Sequence, residues 1–183
     1  MIPILEKFFK PVKYELIAAK DIDLEREKMY ELYERSSEEI WIVAGELTPL
    51  FYNEEFANII KRNLEKYPNF RVNILFSKNE NDPFETRKKN MIESDNIYLC
   101  KLLEGDEFGG RFSMYMSKKR FPNHFGIADN SILIEEIHPE GDIRPALLVH
   151  NYMTFVNKYK RYFQIFRSDS DNKSTKLTYK DFF

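Results

Sequence analysis

SSEEIWIVAGELTPLFYNEEFANIIKRNLEKYPNFRVNILFSK, residues 36–78, changes its hydrophobic period twice. Ile40 to Ala44 is a compact apolar run, flanked by glutamates and Gly45, and reads as a buried strand. From 50 to 67 the spacing turns helical, with Phe56, Ile59, Ile60, Leu64 and Tyr67 on one side. Pro68 stops that helix, and FRVNILFSK (70–78) reads as a second strand. Upstream, Asp23 to Arg35 reads as another helix, with Met29, Leu32 and Tyr33 on one face. The order helix, strand, helix, strand predicts an α/β domain whose first two strands are parallel neighbours.

Downstream, residues 79–94 open as a loop and continue as a short, charged helix. NIYLCKLL (96–103), RFSMYMSK (111–118), NHFGIAD (123–129) and SILIEE (131–136) read as four strands. The turn at Asp129-Asn130-Ser131 predicts a hairpin between the last two. Arg144 to Phe166 is the longest helical pattern: Leu148, Tyr152, Phe155, Tyr159, Tyr162 and Phe166 recur every three or four residues, and Pro145 suits a first turn. With no repeat and no Gly/Ser/Pro linker, residues 1–167 read as one domain. Residues 168–183 read as a polar tail whose apolar end, YKDFF, is able to dock on the domain or on a partner.

The composition is that of a soluble globular protein: 183 residues, 43% apolar and 32% charged. A net charge of −2 gives no global electrostatic case for nucleic acid or an anionic membrane, so such a partner needs a local basic patch. Cys100 is the only cysteine, which excludes an intrachain disulfide and a thiolate metal cluster. The N-terminal MIPILEKFFKPVKYELI is too interrupted by Lys, Glu and Pro for a signal peptide or a membrane span, so a cytoplasmic location is expected. Phosphate loop, dinucleotide fingerprint, nucleophile elbow and metal-type histidine pairing are all missing, and no cofactor or metal is expected. The group Glu135, Glu136, His138 and Glu140 reads as a solvated strand end, because alternation splits Glu135 from Glu136.

The segment RFPNHFGIADNSILIEE (120–136) carries the functional question. Together with the helix and strand order over residues 20–166, it resembles one half of the phospholipase D superfamily, in which a later strand bears H-x-K-x-x-x-x-D. Aligned on Asp129, the segment P-N-H-F-G-I-A-D puts Pro122 at the family's nucleophilic histidine and His124 at its lysine. Glu135 and Glu136 stand where the family has glycine and serine. The resemblance implies an α/β fold with a mixed, mostly parallel sheet and helices on both faces. It also implies a homodimer, since active members combine two halves. The same alignment removes the family chemistry. Proline carries no nucleophile, and two glutamates repel a phosphodiester.

Three basic clusters stand out: Arg87-Lys88-Lys89, Lys118-Lys119-Arg120, and Lys158 to Arg161 with Tyr159 and Tyr162 interleaved. The leading expectation is a non-enzymatic binding or regulatory module for nucleic acid or another phosphate-bearing ligand. Its contacts would come from Lys118, Lys119, Arg120, His124, Asp129, Lys158 and Arg161. The bland alternatives are a strand histidine packed on phenylalanines, a turn aspartate and solvated charged faces. Two other readings stay open: a phosphodiesterase or nuclease with a rearranged site at His124, Asp129 and Glu136, and a protein-interaction domain.

Overall fold

The computed structural model describes residues 11–18, 21–45, 47–77, 84–104, 107–118, 121, 123–137, 143–168 and 174–183, without the side chains of Phe84, Glu136, Ile137, Ile143 and Arg144. The strands are β1 (Lys13–Ile17), β2 (Glu39–Ala44), β3 (Arg71–Ser77), β4 (Phe112–Ser117), β5 (Asn123–Ala128), β6 (Ser131–Ile137), β7 (Ile143–His150) and β8 (Thr175–Lys176). The helices are α1 (Ile22–Glu34), α2 (Glu54–Lys66), α3 (Phe84–Ile92), α4 (Ile97–Lys101) and α5 (Met153–Ser168). The strands form one sheet in the order β1-β7-β6-β5-β2-β3-β4-β8.

β2 and β3 are parallel neighbours, as the 36–78 segment predicts, and β3 pairs in parallel with β4. The other pairings among the described strands are antiparallel. The sheet is therefore mixed and mostly antiparallel, which corrects the expected parallel majority. Two βα crossovers supply the parallel pairs, whereas β5, β6 and β7 are joined in a meander that forces antiparallel pairing.

Each face of the sheet has its own core. Ile40, Ile42 and Ala44 of β2 pack with Met29, Tyr33, Phe56 and Ile60 under α1 and α2. Val43, Leu75, Phe125, Ile127 and Val149 pack under α5 with Val156 and Phe163. A strand covered on both faces needs apolar residues at every position, so IWIVA reads as an unbroken run. Helix starts follow local chemistry. Asp21 accepts from the Leu24 amide at 3.2 Å, and Asn53 accepts from the Phe56 amide at 3.2 Å.

Two element types differ from expectation. Residues 97–101 are helical rather than extended, with Leu99 and Cys100 buried, and the Asn96 amide side chain donates to the Tyr52 carbonyl at 2.7 Å. A short run that is apolar throughout has no period to tell helix from strand. Residues 143–150 are a strand, and the helix begins only at Met153. Ala146 and Leu148 face the α1 side while Val149 faces α5. This burial on both faces mimics the start of a helical stripe. Asn151, at φ 59°, makes the left-handed break between strand and helix. Pro145 lies where the β6–β7 register shifts, a place that needs no ladder donor.

Within the tail region, Thr175–Lys176 pair with β4, and Leu177 and Phe182 are buried in the core. The apolar end of the sequence therefore packs on this same domain. Residues 169–173 of that tail lie outside the described residues.

Candidate functional site

β5 divides its side chains between the two cores. His124, Gly126 and Ala128 face α1, and Phe125 and Ile127 face α5. On the α1 side, a cavity of about 220 Å³ opens over the first half of β5. Its polar side chains come from separate elements: Glu25 and Tyr33 from α1, Thr48 and Tyr52 from the loop before α2, His124 from β5 and Glu135 from β6. Met29, Phe51 and Leu133 supply apolar wall.

Two glycines make the room. A Cβ at Gly45 would lie 2.6 Å from His124 Nε2, and one at Gly126 would lie 1.7 Å from the Tyr33 hydroxyl. The imidazole and the phenol occupy space that any other residue at 45 or 126 would fill. His124 Nδ1 sits 3.4 Å from Glu135 Oε2, its directly opposite partner across the β5–β6 ladder. Glu135 is thus half-buried and engaged, not part of a solvated strand end.

Burial, and then the charge of Glu135, raise the Glu25 carboxyl to about 7. Burial first, and the Tyr52 phenol next, push the Tyr33 hydroxyl up. The Tyr52 hydroxyl is pushed up by burial and then by Glu135 and Glu25. Burial is the first cause of each shift, and carboxylate charge adds to those of Glu25 and Tyr52. No Lys or Arg is among the described residues lining it.

Asp129, expected at the aspartate of the family motif, is elsewhere and occupied. It lies at the far end of β5, roughly 16 Å from His124 at about 3.3 Å per residue. Its carboxylate accepts from the Ser36 hydroxyl (2.7 Å), from the Ser37 amide (2.9 Å) and hydroxyl (3.3 Å), and from the Glu38 and Glu39 amides (both 3.0 Å). Burial alone would raise this carboxyl, but these bonds outweigh it and hold the group below the usual range. Asp129 clamps the entrance to β2. At φ 52° it also makes the hairpin turn.

The remaining expected contacts fall into separate places. Lys158 and Arg161 are exposed on the outer side of α5, across the sheet from the cavity, so they and His124 do not share a site. Lys158 Nζ lies 5.6 Å from the Tyr162 ring centre, and a shallow groove runs past Asn157 and Ile165. Lys160, between them in sequence, is tied to Glu39, whose other oxygen accepts from Trp41 Nε1 at 2.7 Å. Lys118 is exposed after β4; Lys119, Arg120, Pro122, His138 and Glu140, and the side chain of Glu136, lie outside the described residues. Arg87 is buried, and Lys88 pairs with Glu85 at 2.9 Å, so the first basic cluster is not a free patch.

Sequence reading missed Glu25, Tyr33 and Tyr52 as site residues. Glu25 and Tyr33 lie two turns apart on one amphipathic helix, and nothing in that pattern marks them as facing a cavity.

No family model and no curated protein matches the sequence. Solved structures do. An archaeal chromatin protein, TrmBL2, described as showing a novel mode of DNA binding, superposes with a TM-score of 0.60 at 15% identity, over 94% of this chain and 57% of that one. The phosphatidylserine synthase of Haemophilus influenzae gives 0.60 at 13% identity, over 94% of this chain and 41% of that one. Nuc from Salmonella typhimurium, a phospholipase D family member, gives 0.60 at 11% identity, over 92% of this chain and 99% of that one. The chain spans about half the length of the first two and nearly all of the third. No helix among the described residues is long and apolar enough to cross a membrane. The mixed sheet, its two helical layers and these superpositions agree: the chain has a phospholipase D-like fold.

Proposed function

We propose that this protein is a phospholipase D-like module that binds without hydrolysing, in a regulatory role connected with nucleic acid. The observation that carries the reading is the setting of the motif strand. His124 is held by Glu135 opposite Glu25, in a cavity whose described lining has no cation to neutralise a phosphoryl group. Pro122 at the nucleophile position supports it from the sequence. His124 and Asp129 stand at opposite ends of β5, which argues against a rearranged site that uses both.

Nucleic-acid contact fits the outer side of α5, where Lys158, Arg161 and Tyr162 offer two exposed charges and a ring. The likeness to a DNA-binding chromatin protein supports this choice of partner. Fluorescence anisotropy with short duplex DNA and single-stranded RNA tests it at roughly 50 and 200 mM salt. Salt-sensitive binding is expected. The double change Lys158→Glu, Arg161→Glu should weaken it about tenfold or more, while His124→Ala should leave it nearly unchanged. Absent or salt-indifferent binding would overturn the partner. Turnover of a simple phosphodiester, lost on His124→Ala in a folded protein, would overturn the non-hydrolytic reading. A homodimer belongs to the same proposal, because active phospholipase D-like sites combine two halves; light scattering on the eluted protein decides it.

A further inference from the structure

The cavity beside His124 is a site in its own right, on the face of the sheet opposite α5. We propose that it takes a small organic cation, an ammonium group on a short aliphatic chain, held between Glu25 and Glu135 and capped by the Tyr33 and Tyr52 hydroxyls. Its size is the first constraint. At about 220 Å³ it lies below the roughly 300 Å³ lower end of pockets for drug-sized ligands, which suits a short aliphatic ligand better than a nucleotide. Its sign is the second. Two carboxylates against one imidazole, His124 beside Glu135, with no Lys or Arg among the described lining residues, favour a positive charge over phosphate. Its walls are the third, since Met29, Phe51 and Leu133 suit an alkyl chain and the tyrosine rings suit a cation.

The observation that makes this more than an acidic cluster is Tyr33. The side chain is 1% exposed, its hydroxyl sits over Gly126, and that hydroxyl has no hydrogen-bond partner among the described residues. Because Tyr33 lines the cavity, its hydroxyl is open to a hydrogen bond from a ligand seated there. His124 accounts for Glu135 and leaves Glu25 without an ion-pair partner among the described residues. Two half-buried carboxylates facing one cavity oppose folding, and such an arrangement is common where binding, not stability, is served. The groups facing Glu25 here are Glu135 from β6, His124 from β5, Tyr33 from α1 and Tyr52 from the loop before α2. An arriving cation favours the ionised carboxylate and expels a proton from Glu25 near neutral pH.

Isothermal titration calorimetry of the full chain with n-butylammonium, 1-butanol and butyrate tests the inference. These probes share a carbon skeleton and differ in head-group charge. Butylammonium should bind with a dissociation constant of about 1 mM or tighter, butanol at least about tenfold more weakly, and butyrate not at all. Repeating the titration at pH 7 in buffers of different ionisation enthalpy should show proton release. Glu25→Gln should weaken the amine at least about tenfold and abolish the proton release, while raising Tm. That combination of weaker binding and greater stability separates a ligand site from a structural carboxylate. No saturable binding up to roughly 10 mM, equal affinity for butanol, or unchanged binding by the Glu25→Gln protein would each overturn the proposal. None of these results depends on whether α5 contacts nucleic acid, so either claim can fail alone.

Discussion

Asp129 and Glu25 show how two carboxylates of one fold acquire opposite roles. Asp129 meets donors from a loop some ninety residues earlier in sequence, and ionisation is favoured. Asp129→Asn keeps the left-handed turn accessible but replaces one acceptor oxygen by a donor among donors. It should cost about 2 kcal/mol, read from urea denaturation at pH 7. Because its folded pKa is lowered, the stability it contributes is present above about pH 4 and is lost as pH falls through the folded value. Glu25 has the reverse sign. Its folded pKa of about 7 exceeds the unfolded value of 4.5, so the folded state binds the extra proton between them. Stability should therefore decline as pH rises from about 4.5 to 7, and Glu25→Gln should flatten that decline in a series of thermal melts. The sequence names Asp129 as a turn residue correctly. It says nothing of the Ser36–Glu39 loop that the side chain holds, because that contact exists only once β2 and β5 are paired.

At the scale of elements, α2 is legible in type and at its C-terminal end: the structure begins it at Glu54 after the Asn53 cap, four residues later than the 50–67 spacing suggests, and ends it at Lys66 before Pro68. Asn53 serves twice, since its side-chain oxygen also accepts from the Tyr30 hydroxyl at 3.0 Å and so ties α1 to the start of α2. Asn53→Ala should cost about 1–2 kcal/mol by chemical denaturation, the upper half of the usual range for a lost cap. β7 and α4 were harder to read because period depends on what covers each face. β7 is covered on both, and α4 is a single turn with apolar residues all round. α5 shows the complementary case, with one buried stripe through Val156 and Phe163 and a charged outer face. Phe163 makes edge contacts with Trp41 at 4.9 Å and Tyr115 at 6.4 Å, so Phe163→Ala should cost about 3–5 kcal/mol by the same measurement.

Across the whole molecule, one sheet separates two chemistries. The α1 side holds a small acidic cavity, and the α5 side presents exposed basic residues. Joining Lys158 and Arg161 to His124 in a single phosphate site is natural from the sequence, where nothing shows which face of a sheet each would take. The sheet places a full layer between them. The C-terminal residues close the opposite edge: Leu177 and Phe182 are buried, and Leu177 donates its amide to the Met114 carbonyl at 2.9 Å. Removing residues 174–183 should lower Tm by several degrees by exposing this core, with calorimetry as the check.

The local code was enough for the βαβ start and the β5–β6 hairpin, because each depends on near neighbours. Three things came only with the tertiary structure: the antiparallel majority, the strand state of residues 143–150, and the meeting of Glu25, Tyr33, Tyr52, His124 and Glu135. The physical reason is common to all three. Strand direction, two-sided burial and a raised carboxyl pKa are set by what lies across the sheet. Those partners are brought together from distant parts of the chain, where no local period records them.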